Sequence, residues 1–231
     1  MPCAPNGDVR LHYEVSGSGL PLLFIPGLGV SVEDMAPFVT ALARRARVIA
    51  IDNRGAGLSD KPDEPYSISV MAADAAAVAE HSGLAPLDVL GYSLGGRIAL
   101  QLILDQPHMV RRLVLLATSA RLPARRRSLL MSIAPFVPIG AKPRQPAYAF
   151  RRQRAASDGF DARSQLAEIT APTLVLGGRA DRIATPSLAE ELHEGIPNSQ
   201  LEWYAGGHNA PMMTGRAAVV DAIASFLSAD D

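Results

Sequence analysis

The stretch Leu87-Asp88-Val89-Leu90-Gly91-Tyr92-Ser93-Leu94-Gly95-Gly96, continued by Arg97-Ile98-Ala99-Leu100-Gln101-Leu102-Ile103-Leu104, decides how this chain folds. Leu87 to Leu90 reads as a short buried strand and Arg97 to Leu104 as a helix. Between them lies a Gly-x-Ser-x-Gly pattern. At a strand-to-helix junction that pattern is a nucleophile elbow, because the glycines permit a tight, strained bend that lifts the Ser93 hydroxyl clear of the backbone. The helix that follows points its free N–H groups at the reacting oxygen. The bare pattern is common by chance, and the flanking strand and helix give it weight.

A serine hydroxyl needs a base, and the base needs an orienting carboxylate. With this kind of elbow, acid and then histidine follow the serine along the chain. Five histidines are available. His12 lies in an N-terminal strand region, His81 and His193 in helical patterns, and His108 after Pro107; a surface or helix-capping role suits these four. His208 differs, because the strand-like Gln200 to Tyr204 is broken by Ala205-Gly206-Gly207, which presents His208 on a loop.

The acid follows by elimination. Pro172 to Leu176 reads as a strand ending in Gly177-Gly178, with Asp181 just beyond its carboxyl end, where open α/β sheets place their chemistry. No Asp or Glu occurs between Asp105 and Asp158, so the preceding strand, Leu113 to Leu116, offers none. Asp52, after the strand Arg47 to Ile51, precedes the serine and reads as a structural turn carboxylate.

Two backbone donors are needed for the developing oxyanion, each worth roughly 3 kcal/mol by mutational precedent. Leu94, next to the nucleophile, supplies one. Leu28, in the Pro26-Gly27-Leu28-Gly29 loop after the strand Leu22 to Ile25, supplies the other. Gly27-Leu28-Gly29 also begins a dinucleotide fingerprint, but the third glycine would fall at Val32 and no helix opens at the glycines. Gly27, Tyr92 and Arg97 are candidate substrate-binding residues.

These landmarks together resemble the α/β-hydrolase fold superfamily over nearly the full length. They are the Pro26 to Gly29 loop, Asp52-Asn53-Arg54-Gly55-Ala56-Gly57-Leu58-Ser59, the elbow, the Gly178-to-Asp181 turn and Gly206-Gly207-His208. The resemblance implies a doubly wound, mostly parallel sheet and a Ser93, Asp181, His208 triad without metal or cofactor. Pro26 departs from the family, which usually has histidine before the loop glycine, so local hydrogen bonding there must differ. The surrounding sequence is similar to small lactonases and esterases of aromatic and polyketide metabolism, 3-oxoadipate enol-lactonase among them. Tyr92 to Arg97 and Gly207 to Ala210 also resemble a menaquinone-pathway synthase that eliminates pyruvate, in which Arg97 would help hold carboxylates; alternatively Arg97 pairs with a neighbouring acid. A third expectation, a non-catalytic binding protein of the same fold, sits poorly with a chain that retains all three triad residues.

Composition bounds the rest. At 231 residues, 48% hydrophobic and 19% charged, the chain is large enough for one full core. The single Cys3 excludes an intrachain disulfide and a cysteine metal cluster. Without a basic start, an apolar h-region or a 20-residue apolar run, a cytoplasmic protein with no membrane span is expected.

Strand and helix patterns alternate along the chain, with helices at Met35 to Arg45, Ser67 to Ser82, Ser187 to Glu194 and Arg216 to Leu227. The alternation breaks at 119–164, which the resemblance makes a small cap inserted into a core of 1–118 and 165–231. Arg121, Arg125, Arg126, Arg127, Lys142, Arg144, Arg151, Arg152, Arg154 and Arg163, ten basic residues, face only two acids there, Asp158 and Asp161. The segment is net +8, leaving −9 on the remainder. Either this is an ordinary solvated surface, or some arginines face the pocket and attract an anionic small-molecule substrate. Nucleic acid is not expected, since no binding motif accompanies the charge. Prolines at 123, 135, 138, 143 and 146 argue against one long helix there.

Overall fold

The computed structural model describes residues 2–122, 145–213 and 215–229. Its strands are β1 (Cys3–Asn6), β2 (Val9–Ser16), β3 (Pro21–Ile25), β4 (Arg47–Ile51), β5 (Leu87–Tyr92), β6 (Val110–Leu116), β7 (Thr173–Gly178) and β8 (Ser199–Tyr204). The α-helices are α1 (Ala36–Ala43), α2 (Ile68–His81), α3 (Leu94–Asp105), α4 (Ala147–Asp158), α5 (Pro186–Gly195) and α6 (Arg216–Ser228). The described strands make one sheet in the order β1-β2-β4-β3-β5-β6-β7-β8. Pairing is antiparallel for β1 with β2 and β2 with β4, and parallel from β4 through β8.

Strand periodicity sends alternate residues to opposite faces, and both faces are covered. Leu23, Ile49, Val89 and Leu113 pack with buried residues of α2, α3 and α5, while Leu22, Phe24, Val48 and Leu90 pack with those of α1 and α6. Each such fully buried aliphatic or aromatic side chain stabilises by roughly 1.5–3 kcal/mol. Helix α2 starts where Ser67 accepts a hydrogen bond from the Val70 N–H at 3.1 Å, a cap worth about 1 kcal/mol.

Two strands differ from the sequence reading, and α4 is a helix that reading did not place. β1 is an additional edge strand, joined to β2 by a turn in which Gly7 adopts φ +58°; at four residues, with proline and asparagine among them, it is too short to show a strand pattern. β6 begins at Val110 rather than Leu113, because both charged residues at its start find partners. Arg111 grips Asp88 at 2.7 and 3.0 Å, and buried Arg112 donates to the Leu227 carbonyl at 2.6 Å.

After β3 the chain steps to β4 on one side and then to β5 on the other, so the carboxyl ends of β3 and β5 flank a topological switch point. Open α/β sheets bind ligands at such crevices. No described helix is long and apolar enough to cross a membrane.

Candidate active site

Ser93 joins β5 to α3 with φ +55° and ψ −112°, a region that residues other than glycine rarely occupy. Close packing enforces the bend. A Cβ on Gly91 would collide with Gly95 and Gly96, and one on Gly95 with the Ile25 carbonyl. The Ser93 N–H bonds the Leu116 carbonyl at 3.0 Å, and the Thr118 hydroxyl donates to the Ser93 carbonyl at 2.7 Å, so β6 clamps the elbow. Leu94 is the first residue of α3, and its N–H therefore has no intrahelical acceptor.

Asp181, His208 and Ser93 are brought together from the ends of β7, β8 and β5. His208 Nδ1 lies 2.8 Å from Asp181 Oδ2, and His208 Nε2 lies 2.9 Å from Ser93 Oγ. The Asp181 side chain is fully buried, and its Oδ1 accepts from the Ile183 and Ala184 N–H groups at 2.7 and 3.0 Å. An ionised carboxylate only accepts, so Nδ1 of His208 carries the hydrogen and Nε2 is left as an acceptor facing Ser93 Oγ.

The rival acid, Asp52, belongs to a different cluster. Its Oδ1 accepts from the Val32 N–H at 2.7 Å and its Oδ2 from Leu58 N–H at 2.9 Å and His12 Nδ1 at 2.8 Å. It fastens the loop after β4 to the loop after β3, as a turn carboxylate would. His12 corrects the sequence reading, being neither a surface nor a capping residue but 2% exposed and held by Asp52. Leu11, His12 and Tyr13 are buried in succession, so both faces of β2 are covered there, and His12 meets Asp52 on one of them. The other histidines stand elsewhere: His81 Nδ1 meets the Tyr13 hydroxyl at 2.9 Å, His193 Nδ1 meets Ser199 at 2.8 Å, and His108 is exposed.

The loop after β3 lies against Ser93. A Cβ on Gly27 would stand 3.3 Å from the Tyr92 ring and 3.4 Å from Ser93 Cβ, so glycine lets backbone approach the serine. Leu28 is half-buried beside it. The loop is tied at both ends: Asn53 Nδ2 donates to the Pro26 carbonyl at 3.0 Å, and the Gly29 N–H donates to Gln153 Oε1 at 2.9 Å. The Asn53 bond is the local arrangement that accompanies Pro26.

Tyr92 and Arg97, the other two candidate substrate-binding residues, are both buried and hydrogen-bonded within the chain. The Tyr92 hydroxyl, 4% exposed as a residue, reaches Asn209 Oδ1 at 2.9 Å beside the His208 loop. Burial, and then the charge of Asp181, push its phenol well above the ordinary range, so it stays a neutral donor. Arg97 was expected to hold a substrate carboxylate or pair with an acid. Its Nη1 donates instead to Ser157 Oγ and its Nη2 to Ser119 Oγ at 2.9 Å, linking α3 to α4 and to the end of β6. Burial lowers its pKa to about 10, with Asp158 opposing, and leaves it a cation at neutral pH.

The basic segment after β6 is largely spent on carboxylates where it is described. Arg121 pairs with Glu191 at 2.9 Å, Arg152 with Asp63 at 2.8 Å and Arg163 with Asp161 at 2.7 Å. Arg125, Arg126, Arg127, Lys142 and Arg144 lie outside the described residues, as do the prolines at 123, 135, 138 and 143; Pro146 precedes the first turn of α4. Sequence reasoning missed Thr118, Gln145 and Gln153, for which no motif or spacing gives a signal. Asn53 lies within the Asp52-to-Ser59 landmark, where nothing in the sequence signals its bond to the Pro26 carbonyl. Among the described residues no group of three or more His, Cys, Asp or Glu could hold a metal ion.

Residues 21–150 match the alpha/beta hydrolase fold family, and residues 152–230 match TAP-like proteins. A putative carbamate hydrolase RutD of Variovorax paradoxus is 31% identical, over 94% of this chain and 96% of that one. A solved N-acyl homoserine lactone degrading enzyme, Est816, superposes with TM-score 0.84 at 25% identity, covering 97% of this chain and all (100%) of that one. The enol-lactonase of Burkholderia xenovorans shares the fold with TM-score 0.84 at 23% identity, over 99% of this chain and 100% of its own.

Proposed function

The chain belongs to the alpha/beta hydrolase fold family, and on that premise we propose that it is a serine hydrolase cleaving a carboxylic ester, lactone or related acyl bond of a small metabolite through an acyl-enzyme. The observation that carries this reading is the unbroken hydrogen-bond chain from Asp181 through His208 to Ser93, at 2.8 and 2.9 Å, set beside the N-terminus of α3.

In the proposed reaction Ser93 Oγ attacks the substrate carbonyl carbon while His208 Nε2 takes its proton. The carbonyl π pair moves onto oxygen, and the N–H groups of Leu28 and Leu94 stabilise that oxyanion. Collapse re-forms the carbonyl and breaks the bond to the leaving group, which takes the proton from His208. Water then attacks the acyl-enzyme, giving one proton to His208. A second collapse frees the acid, and that proton returns to Ser93. Asp181 holds the imidazole in its working tautomer and offsets the positive charge it gains. Helix α4, in the described part of the segment 119–164, lies against the loop after β3 through Gln153 and Gly29 and acts as a small cap beside this site.

The putative carbamate hydrolase and the acyl-homoserine-lactone degrading enzyme among the similar proteins support acyl-bond hydrolysis as the reaction class. Elimination chemistry would ask Arg97 to hold substrate carboxylates, and both terminal nitrogens of that guanidinium already serve Ser119 and Ser157. The test is labelling and turnover. A fluorophosphonate probe should modify Ser93, and Ser93→Ala and His208→Ala should each lower hydrolysis of short p-nitrophenyl esters by roughly 10⁴-fold or more. Hydrolysis by Ser93→Ala at the wild-type rate would overturn the reading.

A further inference from the structure

Two glutamines on and just before α4 flank Gly29 of the oxyanion loop, and they differ in one respect. Gln153 is fully engaged, with Oε1 accepting from the Gly29 N–H at 2.9 Å and Nε2 donating to the Arg54 carbonyl at 2.7 Å. Gln145 is only 8% exposed, yet among the described residues neither its Oε1 nor its Nε2 has a hydrogen-bond partner. Its Nε2 lies against the loop, for a Cβ on Gly29 would stand 2.8 Å from that atom and 2.8 Å from the Phe150 ring. Gly29 is two residues beyond Gly27, whose own Cβ position is 3.4 Å from Ser93 Cβ. A buried amide with both ends unmet is costly to the fold, and interiors of folded proteins seldom keep one without a use.

We infer that Gln145 is a specificity-determining residue that reads a neutral amide-type group on the substrate, a C=O with an N–H on the same side, as in a primary carboxamide or an O-carbamate. The inference rests on the serine-hydrolase reading above. An amide side chain presents one acceptor and a two-hydrogen donor in one plane. A group with N–H and C=O side by side meets both: Nε2 donates to its oxygen, and Oε1 accepts from its nitrogen. A carboxylate only accepts, so it would satisfy Nε2 and set a negative oxygen against Oε1. An alkyl group would meet neither atom. Sites built to hydrogen-bond a substrate group discriminate strongly against analogues lacking it, because the site's own polar atoms are then stranded.

Three p-nitrophenyl esters of the same length and shape test this: one ending in a primary carboxamide (glutaramate), one ending in a carboxylate (hemiglutarate), and one in which isopropyl replaces the carboxamide. Gln145→Leu should lower the carboxamide-to-isopropyl ratio of kcat/KM by about tenfold, the loss of roughly one well-made hydrogen bond or more. It should not favour the carboxylate ester. The variant's thermal midpoint should equal or exceed that of the wild type, since an apolar side chain replaces an unpartnered amide. Gln145→Met, unbranched and of similar length, is the second variant should Leu fit poorly. An unchanged ratio in the folded variants would overturn the inference alone. Failure of the wild type to turn over any of the three esters, together with no fluorophosphonate label on Ser93, would overturn the hydrolase reading and this inference with it.

Discussion

Tyr92 and His208 are 116 residues apart in the chain, yet the Tyr92 hydroxyl lies 3.3 Å from the His208 carbonyl and the two rings are 5.6 Å apart between centroids. The residue preceding Ser93 thus braces the loop that carries the candidate base. The nearer partner of that hydroxyl is Asn209 Oδ1 at 2.9 Å. Positioning of His208 therefore depends on β5 as well as on β8 and Asp181.

Tyr92→Phe removes this brace while keeping the ring. The change should cost about 1 kcal/mol of stability, the net worth of one buried hydrogen bond. It should lower kcat several-fold with little change in KM, since His208 would sample poorer positions relative to Ser93. Steady-state kinetics beside a urea titration would show both, and an unaltered kcat would mean that Asp181 alone suffices.

Asp181→Asn should be far more severe. An amide cannot dictate the His208 tautomer as a carboxylate does, and loss of turnover approaching 10⁴-fold is expected with the fold retained. The Ile183 and Ala184 N–H groups, 2.7 and 3.0 Å from Oδ1, can still bond an amide oxygen at that place. Circular dichroism and ester kinetics on the same preparation separate catalysis from folding.

Ser93 separates strain from chemistry. Its φ of +55° is one that glycine adopts at little cost. Ser93→Gly should abolish turnover and stabilise the protein by about 1 kcal/mol relative to Ser93→Ala, which keeps the Cβ in that conformation. Equal thermal midpoints for the two variants would show the elbow to be unstrained.

Arg97 tests a buried cation held by hydroxyls. Arg97→Met leaves Ser157 Oγ without this donor and should destabilise by roughly 1–3 kcal/mol. Ser119 loses its donor too but still donates to the Arg121 carbonyl at 2.8 Å. Adding Ser119→Ala and Ser157→Ala to Arg97→Met should recover much of the loss, because replacing all partners by apolar groups strands few polar atoms. A triple variant no more stable than the single one would mean that the guanidinium contributes mainly through packing.

Much of the fold was legible in the sequence because its signals are local. The apolar run of β5, the Gly-x-Ser-x-Gly turn and the periodicity of α3 occupy a few consecutive turns of chain, and a glycine-flanked His208 and a post-strand Asp181 follow from their immediate neighbours. Where charge interrupted a strand, as at Arg111 and Arg112, local reading stopped short, since the partners that permit burial, Asp88 and the Leu227 carbonyl, come from 23 and 115 residues away.

The sequence by itself determined the alternating α/β architecture, the elbow and the order of the candidate triad. Only the tertiary structure decided which acid meets which histidine, joining His12 to Asp52 and His208 to Asp181. It also decided that Arg97 rests on hydroxyls and that Gln153 reaches Gly29 across 124 residues. The physical reason is range. Turns, caps and periodicity are fixed by bonds among near neighbours in the chain, whereas the partner of a buried polar side chain is fixed by which strands and helices the assembled sheet sets face to face.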